Sequence, residues 1–386
     1  MDIDQNCHRV TGQRKHPPMA NSGKPAFSVA PMMEITDRYC RSFHRLLSKH
    51  AVLYTEMITA AAVVHGDRGH LLDFDTAELP VVLQLGGSDS DLMTQSAVIG
   101  EQHGYSAINI NCGCPSDRVK SGRFGACLMA EPELVAESFT AMQAAISVPV
   151  TVKCRIGIDR DDSFEPFERF IRIVADAGCD TFIVHARKAW LDGLSPKENR
   201  TVPPLKYEYV DQIKNLFPEK QFILNGGLLS HEQAIANSSS IDGVMLGREV
   251  CSNPWMLNEV DHLYYGEAAN TRTRFQVVES YYPTLEKYLA EGVPLGKLMK
   301  PMLGLFHARP GGRLWRRALS ETMWLPGAGL HTVKKALDAV RQTTDDIHRR
   351  SQQSSPDHID NDHIDNGCKD SDQTDVADVS RMNING

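Results

Sequence analysis

Cys114 is the residue whose surroundings best suit it for chemistry. It lies in the run Asn111-Cys112-Gly113-Cys114-Pro115-Ser116, directly after a short apolar segment and before a proline that restricts its backbone. Cysteine thiols are mostly protonated at neutral pH and can donate a proton to carbon. A buried structural cysteine is the alternative, and the spacing alone leaves both interpretations open.

Basic and glycine residues after other apolar segments indicate an anionic ligand. Lys153 ends one such segment, where a cation can pair with an anionic cofactor or a phosphate, or form a Schiff base. Asn225-Gly226-Gly227 and Gly247-Arg248 follow two others. Backbone N–H groups of glycine turns approach phosphates closely, and Arg248 adds charge, so we predict a phosphate site here.

Polar and apolar side chains at the remaining segment ends suit a planar ring. Gln84 offers a donor and an acceptor to ring carbonyls and nitrogens, whereas Pro31-Met32-Met33 would line an apolar slot or belong to the core. Asn109 and Asn111 share one face by alternation, and we expect a bound polar ligand to satisfy their buried amides. Because a cation stabilises an anionic reduced ring, flavin mononucleotide (FMN) fits better than a sugar phosphate.

Eight short apolar segments carry these residues at their ends. Most are bounded by Gly, Pro, Asn or Asp, as strands are. They are Phe27–Ala30, Val52–Thr55, Val81–Leu85, Ala107–Ile110, Val150–Val152, Thr181–Val184, Phe222–Leu224 and Gly243–Leu246. Helical patterns separate them, so a (β/α)₈ TIM barrel is predicted, with its chemistry at the carboxyl ends of the strands. A doubly wound sheet is the competing fold.

The rest of the chain divides into a helical segment and two tails. We predict a disordered N-terminal tail over 1–25, the barrel over 26–264, a small all-helical domain over 265–348 and a disordered acidic tail over 349–386. Helix breaks are expected at Gly292-Val293-Pro294, Pro310-Gly311-Gly312 and Pro326-Gly327.

Composition excludes several classes of protein. The 386 residues are 41% hydrophobic and 23% charged, without an apolar stretch long enough for a membrane helix or a secretory signal. The nine cysteines show no CxxC pairs, so we expect reduced thiols in the cytoplasm and no metal site.

Charge is unevenly distributed along the chain. The net charge is −8, but residues 351–386 alone carry −6, and residues 291–350 hold eleven Lys and Arg against five Asp and Glu. A basic segment beside a near-neutral body favours a polyanionic partner. An ordinary solvated helix surface is the alternative.

Seven motifs together resemble the tRNA-dihydrouridine synthase family over about residues 26–345. They are Ala30-Pro31-Met32-Met33, Leu83-Gln84-Leu85-Gly86-Gly87, Asn111-Cys112-Gly113-Cys114-Pro115-Ser116, Val152-Lys153-Cys154-Arg155-Ile156-Gly157, His185-Ala186-Arg187, Asn225-Gly226-Gly227 and Leu246-Gly247-Arg248. Further stretches resemble the A subfamily, which modifies D-loop positions 20 and 20a. They are Asp117-Arg118-Val119, Lys188-Ala189-Trp190-Leu191, Gly193–Arg200 and Arg313-Leu314-Trp315-Arg316-Arg317.

The resemblance implies a role for each matched residue. Cys114 would protonate uracil C5 while reduced FMN delivers hydride to C6, with NADPH as reductant. The implied FMN ligands are Pro31, Met32, Met33, Gln84, Lys153, His185, Asn225, Gly226, Gly227, Gly247 and Arg248. The implied tRNA contacts are Asn111, Lys188, Leu191, Arg313 and Arg316. No protein partner is inferred, and a monomer is expected.

Two other functions remain open at this point. A flavin enzyme acting on a free pyrimidine, such as a dihydroorotate dehydrogenase, would share the barrel and the strand-end lysine, but it would not explain the basic helical segment. A catalytically silent RNA-binding protein would not need Cys114 and Lys153. Cys112 departs from the family pattern, in which an apolar residue is usual, and it could share the work of Cys114.

Overall fold

A nine-stranded parallel sheet forms the centre of the computed structural model, which describes residues 26–116, 122–160 and 163–353. The strands are β1 (Ala26–Val29), β2 (Leu53–Tyr54), β3 (Ile58–Thr59), β4 (Val81–Gly86), β5 (Ala107–Cys112), β6 (Val150–Arg155), β7 (Thr181–His185), β8 (Gln221–Asn225) and β9 (Gly243–Leu246). The predicted tails and Asp117-Arg118-Val119 lie outside the described residues, apart from the last few residues of the C-terminal helix.

The sheet closes on itself as a barrel. Its strand order is β1-β9-β8-β7-β6-β5-β4-β2, with β3 paired to β4. A parallel bridge between Ser28 and Val52 joins the two ends, through hydrogen bonds from Val29 N to Val52 O (2.9 Å) and from Val52 N to Phe27 O (3.0 Å). The predicted (β/α)₈ barrel is confirmed.

Helices separate successive barrel strands and continue after the last one. They are α1 (Arg38–Leu47), α2 (Ala60–His65), α3 (Arg68–Leu71), α4 (Ser90–Gln102), α5 (Pro132–Ala145), α6 (Glu165–Asp176), α7 (Tyr207–Leu216), α8 (His231–Ala236), α9 (Arg248–Ser252), α10 (Leu257–Tyr265), α11 (Arg274–Ser280), α12 (Tyr282–Ala290), α13 (Leu295–Met299), α14 (Gly312–Thr322) and α15 (Leu330–Gln353).

Side-chain alternation along the strands gives the barrel two different faces. Outward residues such as Leu83, Ile108 and Cys112 join the large core between the sheet and the helices. Inward residues near the strand starts, such as Val82 and Ile183, form a small separate apolar cluster. Because side chains of a strand alternate with a period of two, the inward positions nearer the carboxyl ends can be polar.

After β9 the described chain is helical. The three predicted breaks fall between α12 and α13, directly before α14, and between α14 and α15. Contacts group the described residues up to Thr344 into one compact unit and those from Asp345 into a second, in which Arg349 pairs with Asp346 at 2.8 Å. No helix in the described ranges is long and apolar enough to cross a membrane.

The strand prediction missed β3. Its two residues, Ile58 and Thr59, pair with Leu85 and Gly86 at the carboxyl end of β4. Two residues are too few to show alternation, and Thr59 also caps α2 by accepting a hydrogen bond from Ala62 N. The segment therefore resembles an ordinary helix start in sequence.

Glu78→Ala tests the packing of α1 against the start of β4. Arg41 Nε donates to Glu78 Oε2 at 2.9 Å, and the two side chains are only 5% and 1% exposed. Removing one partner of a buried ion pair costs about 3–5 kcal/mol. We expect urea unfolding to show a loss of stability of about that size. Glu321→Ala, which breaks an exposed pair with Arg317, should change stability little, and equal losses would contradict this account.

Candidate active site

Four polar side chains form a continuous hydrogen-bonded chain across the inside of β4, β5 and β6. Asn109 Nδ2 donates to Thr151 Oγ1, Gln84 Nε2 donates to Asn109 Oδ1, and Asn111 Nδ2 donates to Gln84 Oε1, each at 2.8 Å. The expectation that a ligand must satisfy these buried amides was wrong. The protein satisfies them itself, since neighbouring strands in register bring Gln84 opposite Asn109 and Asn109 opposite Thr151.

Asn111 links these hydrogen-bonded side chains, here called the amide chain, to the segment Gly113–Ser116 that follows β5, here called the Cys114 loop. Its Oδ1 accepts the N–H groups of Gly113 (3.1 Å) and Cys114 (3.0 Å), while the carbonyl of Cys114 accepts Ala126 N at 2.9 Å. The Cys114 thiol is partly exposed and donates to Ser116 Oγ at 3.5 Å. Cys114 is therefore fixed on both sides by backbone hydrogen bonds and remains accessible beyond the end of β5.

Cys112 lies on the other face of β5. Its side chain is fully buried in the core between sheet and helices, beside Cys154 on the neighbouring strand. Burial is the main cause that raises the pKa of the Cys112 thiol well above its ordinary value. A buried thiol that faces away from the barrel interior cannot reach a substrate at its mouth.

Lys153 is held inside the barrel by Asn225. Its Nζ donates to Asn225 Oδ1 at 3.1 Å, and Asn225 Nδ2 donates to Met245 O at 2.7 Å. Burial, followed by the charge of Arg155, lowers the pKa of Lys153 to about 8. The environment of Lys153 therefore disfavours its charged form relative to solvent.

His185 packs against the glycine turn that follows β8. A Cβ atom added to Gly226 would lie 2.6 Å from His185 Cδ2, and Gly226 and Gly227 both have positive φ (+113° and +69°). Burial, then the charges of Arg155 and Lys153, hold the pKa of His185 well below its ordinary value. The imidazole is therefore neutral at pH 7 and its ring borders a turn that only glycine can form.

Arg155 joins the Cys114 loop to the loop that follows β7. It is 2% exposed, and its Nε donates to Gly113 O at 2.8 Å, while Nη1 donates to Lys188 O and Asn199 O, each at 3.0 Å. Burial lowers its pKa to about 10. Three carbonyls thus share one buried guanidinium, which sets the position of one loop relative to the other.

Five cations lie together at the carboxyl ends of the strands, and none of them forms an ion pair with a carboxylate in the described ranges. These mouth cations are Lys153, Arg155, Arg187, Arg200 and Arg248. The Nε atoms of Arg187 and Arg200 are buried and have no acceptor among the residues described. Buried cations and donors without partners are costly, so this arrangement is suited to an anionic ligand.

The loop after β7 has an ordered internal structure. Asn199 is fully buried; its Oδ1 accepts Trp190 N at 2.7 Å, and its Nδ2 donates to Trp190 O at 2.9 Å. Lys188 Nζ lies 4.8 Å from the Trp190 ring centroid, and Leu191 N donates to Asp159 Oδ1 at 2.8 Å. Lys188 and Leu191 therefore lie on the same side of the barrel as Cys114.

The methionine segment after β1 adds apolar surface at the mouth. Met32 is partly buried, with its Sδ 3.7 Å from Cys251 Sγ, and its backbone N donates to Thr36 Oγ1 at 3.0 Å. Met33 is 56% exposed. Gly247, at the end of β9, would place a Cβ only 3.5 Å from Met32 Sδ. The segment beginning at Pro31 and the Gly247-Arg248 turn are therefore neighbours.

Arg313 and Arg316 lie on α14 and are exposed. Trp315 between them is fully buried, and its Nε1 donates to Met302 O at 2.9 Å. The alternation of buried tryptophan and exposed arginines fixes which face of α14 meets solvent.

Comparison with known proteins identifies the family. The family described as "Dihydrouridine synthase (Dus)" matches residues 28–341. This chain belongs to the dihydrouridine synthase family. The resemblance inferred from the motifs is confirmed, and the protein is a flavin-dependent oxidoreductase of that family.

Proteins named tRNA-dihydrouridine(20/20a) synthase are similar over most of their length. That of Vibrio cholerae is 51% identical over 81% of this chain and 96% of its own. Those of Xanthomonas campestris and Synechocystis are each 50% identical, over 86% and 83% of this chain and 98% and 96% of theirs. A 2-naphthoyl-CoA reductase complex aligns with a TM-score of 0.47 and 9% identity, over 62% of this chain and 51% of that one, which is too weak to bear on function.

The motifs did not reveal every residue of the site. Arg155, Asn199 and Arg200 lie within the matched motifs, but the resemblance implies no role for them. The signal available for Arg155 was an arginine two residues after Lys153, on the inward face of the same strand. No local sequence signal identifies Asn199 as a site residue, because its hydrogen-bond partners depend on the conformation of the loop after β7.

Arg155→Ala should separate loop positioning from cofactor binding. Loss of three carbonyl contacts would release the Cys114 loop, and misplacement of about 1 Å can cost on the order of 100-fold in turnover. We expect flavin still to bind, with a weaker affinity because one mouth cation is lost, while kcat at saturating flavin falls by about that factor.

Arg45→Ala is a matched control at the opposite end of the barrel. Arg45 also donates only to carbonyls, those of Ser48, Ala51, Glu78 and Pro80, which precede β2 and β4. That variant should lose stability without a comparable loss of kcat. Equal effects of the two variants on kcat would show that Arg155 has no specific positioning role.

Proposed function

We propose that this protein reduces the C5–C6 double bond of uridine in tRNA to 5,6-dihydrouridine. We further propose FMN as the cofactor, NADPH as the reductant and D-loop positions 20 and 20a as the targets, following the names of its relatives. The observation that carries the proposal is a partly exposed thiol, Cys114, at the barrel mouth with five mouth cations, none of which has a carboxylate partner among the described residues.

The mouth residues fit FMN by shape and charge. The Gly226-Gly227 turn leaves room where a Cβ would collide with its neighbours, and the Nε atoms of Arg187 and Arg200 have no acceptor in the part of the chain that the structure describes. Gly226, Gly227, Gly247 and Arg248 would hold the phosphate, as glycine turns after the last barrel strands do. The proposed ring contacts are Pro31, Met32, Met33, Gln84, Lys153, His185 and Asn225.

The residues of the chain supply proton transfer and orientation. When bound, FMN supplies the hydride for uracil C6, which it obtains from NADPH. Cys114 gives its thiol proton to C5, and the Asn111 hydrogen bonds to the loop hold the thiol in place for that transfer. Lys153 keeps a positive charge at the end of β6, where negative charge accumulates during reduction.

Binding of tRNA would involve the loop after β7 and the helical segment. We propose Asn111, Lys188, Leu191, Arg313 and Arg316 as contacts, and residues 265–348 as the RNA-binding domain. The target base must leave its stack to reach Cys114, which costs a few kcal/mol and least in a loop. Specificity is then expected to depend on RNA shape and backbone contacts.

Unmodified tRNA and free uracil distinguish the proposed function from a free-pyrimidine reductase. The purified protein, reconstituted with FMN and NADPH, should form dihydrouridine in tRNA, and mapping should place it at positions 20 and 20a. Equal reduction of free uracil would overturn the tRNA assignment. Failure to bind any flavin would overturn the redox chemistry.

Cys114→Ala and Cys112→Ala test which thiol is the proton donor. Cys114→Ala should bind flavin and tRNA normally but lose most turnover, since general acid catalysis contributes about 100- to 10,000-fold. Cys112→Ala should keep nearly full turnover and lose only some stability, because Cys112 is buried in the outer core. Full activity of Cys114→Ala would move the role elsewhere.

The pKa of Lys153 predicts a pH dependence of FMN binding. Only the ammonium form attracts an anion, and its pKa of about 8 in the free protein would rise on binding one. The affinity of the apoprotein for reduced FMN, whose ring carries the negative charge that Lys153 would meet, should therefore be constant just below pH 8 and fall up to about tenfold per pH unit above it. An anaerobic titration with reduced FMN, followed by flavin absorbance, measures this. Lys153→Met should bind FMN more weakly without that dependence, and an unchanged dependence would contradict the assignment.

A further inference from the structure

Trp324 stands out on the surface of the helical segment. It is 58% exposed, and no other Phe, Tyr or Trp in the described ranges is exposed. The other three tryptophans, Trp190, Trp255 and Trp315, are partly or fully buried. An indole left in solvent is unfavourable by the hydrophobic effect, and exposed aromatic side chains are typical of recognition surfaces.

The indole packs against α13. A Cβ atom on Gly296 would lie 2.3–2.5 Å from Cε2, Cδ2 and Cε3 of Trp324. A point equally distant from three consecutive atoms of a ring lies over the face of that ring. One face of the indole is therefore packed on the Gly296 backbone, while 58% of the side chain surface remains open to solvent.

Trp324 lies just beyond the C-terminal end of α14, which carries exposed arginines. Arg313, Arg316, Arg317 and Ser320 are exposed and have helical spacing, so they share one face, here called the α14 stripe. Arg317 pairs with Glu321 at 3.1 Å, whereas Arg313 and Arg316 form no ion pair within the described part of the chain. Trp324 is two residues beyond Thr322, the last residue of the helix.

The neighbourhood of Trp324 is connected to the mouth of the barrel. Lys297 is exposed, follows Gly296, and acts electrostatically on Asp37. Lys300 Nζ donates to Glu34 O at 2.6 Å. Glu34 and Asp37 both follow β1 at its carboxyl end, so α13 contacts the loops that border the active site.

We propose that Trp324 is a stacking surface for an unpaired base of the tRNA substrate, beside phosphate contacts made by the α14 stripe. This inference rests on the proposed function. A fixed aromatic face next to a row of cations is the combination that binds single-stranded nucleic acid, because bases stack on the ring while arginines pair with phosphates. The positive charge of the α14 stripe favours RNA over a second protein as the partner, because the cores of protein–protein interfaces are depleted in charged residues.

Three variants separate the contribution of stacking to tRNA affinity from that of charge. They are Trp324→Ala, Trp324→Phe and Arg316→Ala. Trp324→Ala should weaken tRNA binding on the order of tenfold with an unchanged salt slope, since stacking releases no counterions. Trp324→Phe should recover most of that affinity. Arg316→Ala should weaken binding and reduce the salt slope by about one. Leu325→Ala, which removes an apolar side chain 57% exposed next to Trp324, is the control and should bind normally.

Intrinsic fluorescence provides a second measurement. Binding of tRNA should quench tryptophan emission in the wild type and much less in Trp324→Phe. The Trp324 and Leu325 variants should bind FMN and oxidise NADPH without tRNA as the wild type does, which shows that they are folded.

The outcomes distinguish this inference from the proposed function. If the wild type neither binds nor reduces tRNA, the proposed function fails and this inference fails with it. If tRNA is reduced but Trp324→Ala binds it with wild-type affinity, only the stacking role is overturned. A dimer in sedimentation that Trp324→Ala converts to monomer, with tRNA affinity unchanged, would assign the indole to a second copy of the chain and also overturn it.

Discussion

The buried guanidinium of Arg155 is the interaction on which the arrangement of the site depends. It is bonded to carbonyls from two loops and, within the described ranges, to no carboxylate, so no described residue neutralises its charge. The same charge contributes to the lowered pKa values of Lys153 and His185. A carboxylate at this position would have stabilised the free protein, but it would have cancelled the field that the mouth cations create for an anion.

The two-residue alternation of a strand explains how neighbouring thiols acquire different properties. Cys112 is the last residue of β5, points into the outer core and is buried among apolar side chains. Two residues later the chain has left the strand, and Asn111 turns the backbone so that Cys114 becomes accessible. The amide chain through Gln84 and Asn109 makes this turn rigid from inside. Positioning of the thiol thus follows from hydrogen bonds within the sheet and does not require a ligand.

Sequence patterns predicted the barrel and most of the mouth because both have local signals. Strand ends are marked by Gly, Pro and Asn, and the family motifs lie directly after them. What could not be predicted depends on partners distant in sequence. The hydrogen bond between Gln84 and Asn111 depends on the register of neighbouring strands. That the Nε atoms of Arg187 and Arg200 lack an acceptor among the described residues depends on the folded surroundings of each side chain. Trp324 carries no motif, and its exposure follows from the place where α14 ends.

The seam between β1 and β2 gives the barrel an uneven local stability. Only two backbone hydrogen bonds and one bridge close it, whereas β5 and β6 are paired over five residues. Amide protons at the seam should exchange with solvent through small openings, while those of β5 and β6 require larger ones. The Met32-Met33 segment directly follows this seam. The apolar side of the proposed flavin site therefore borders a sparsely hydrogen-bonded junction of the barrel, where small openings are expected to be more frequent than between β5 and β6.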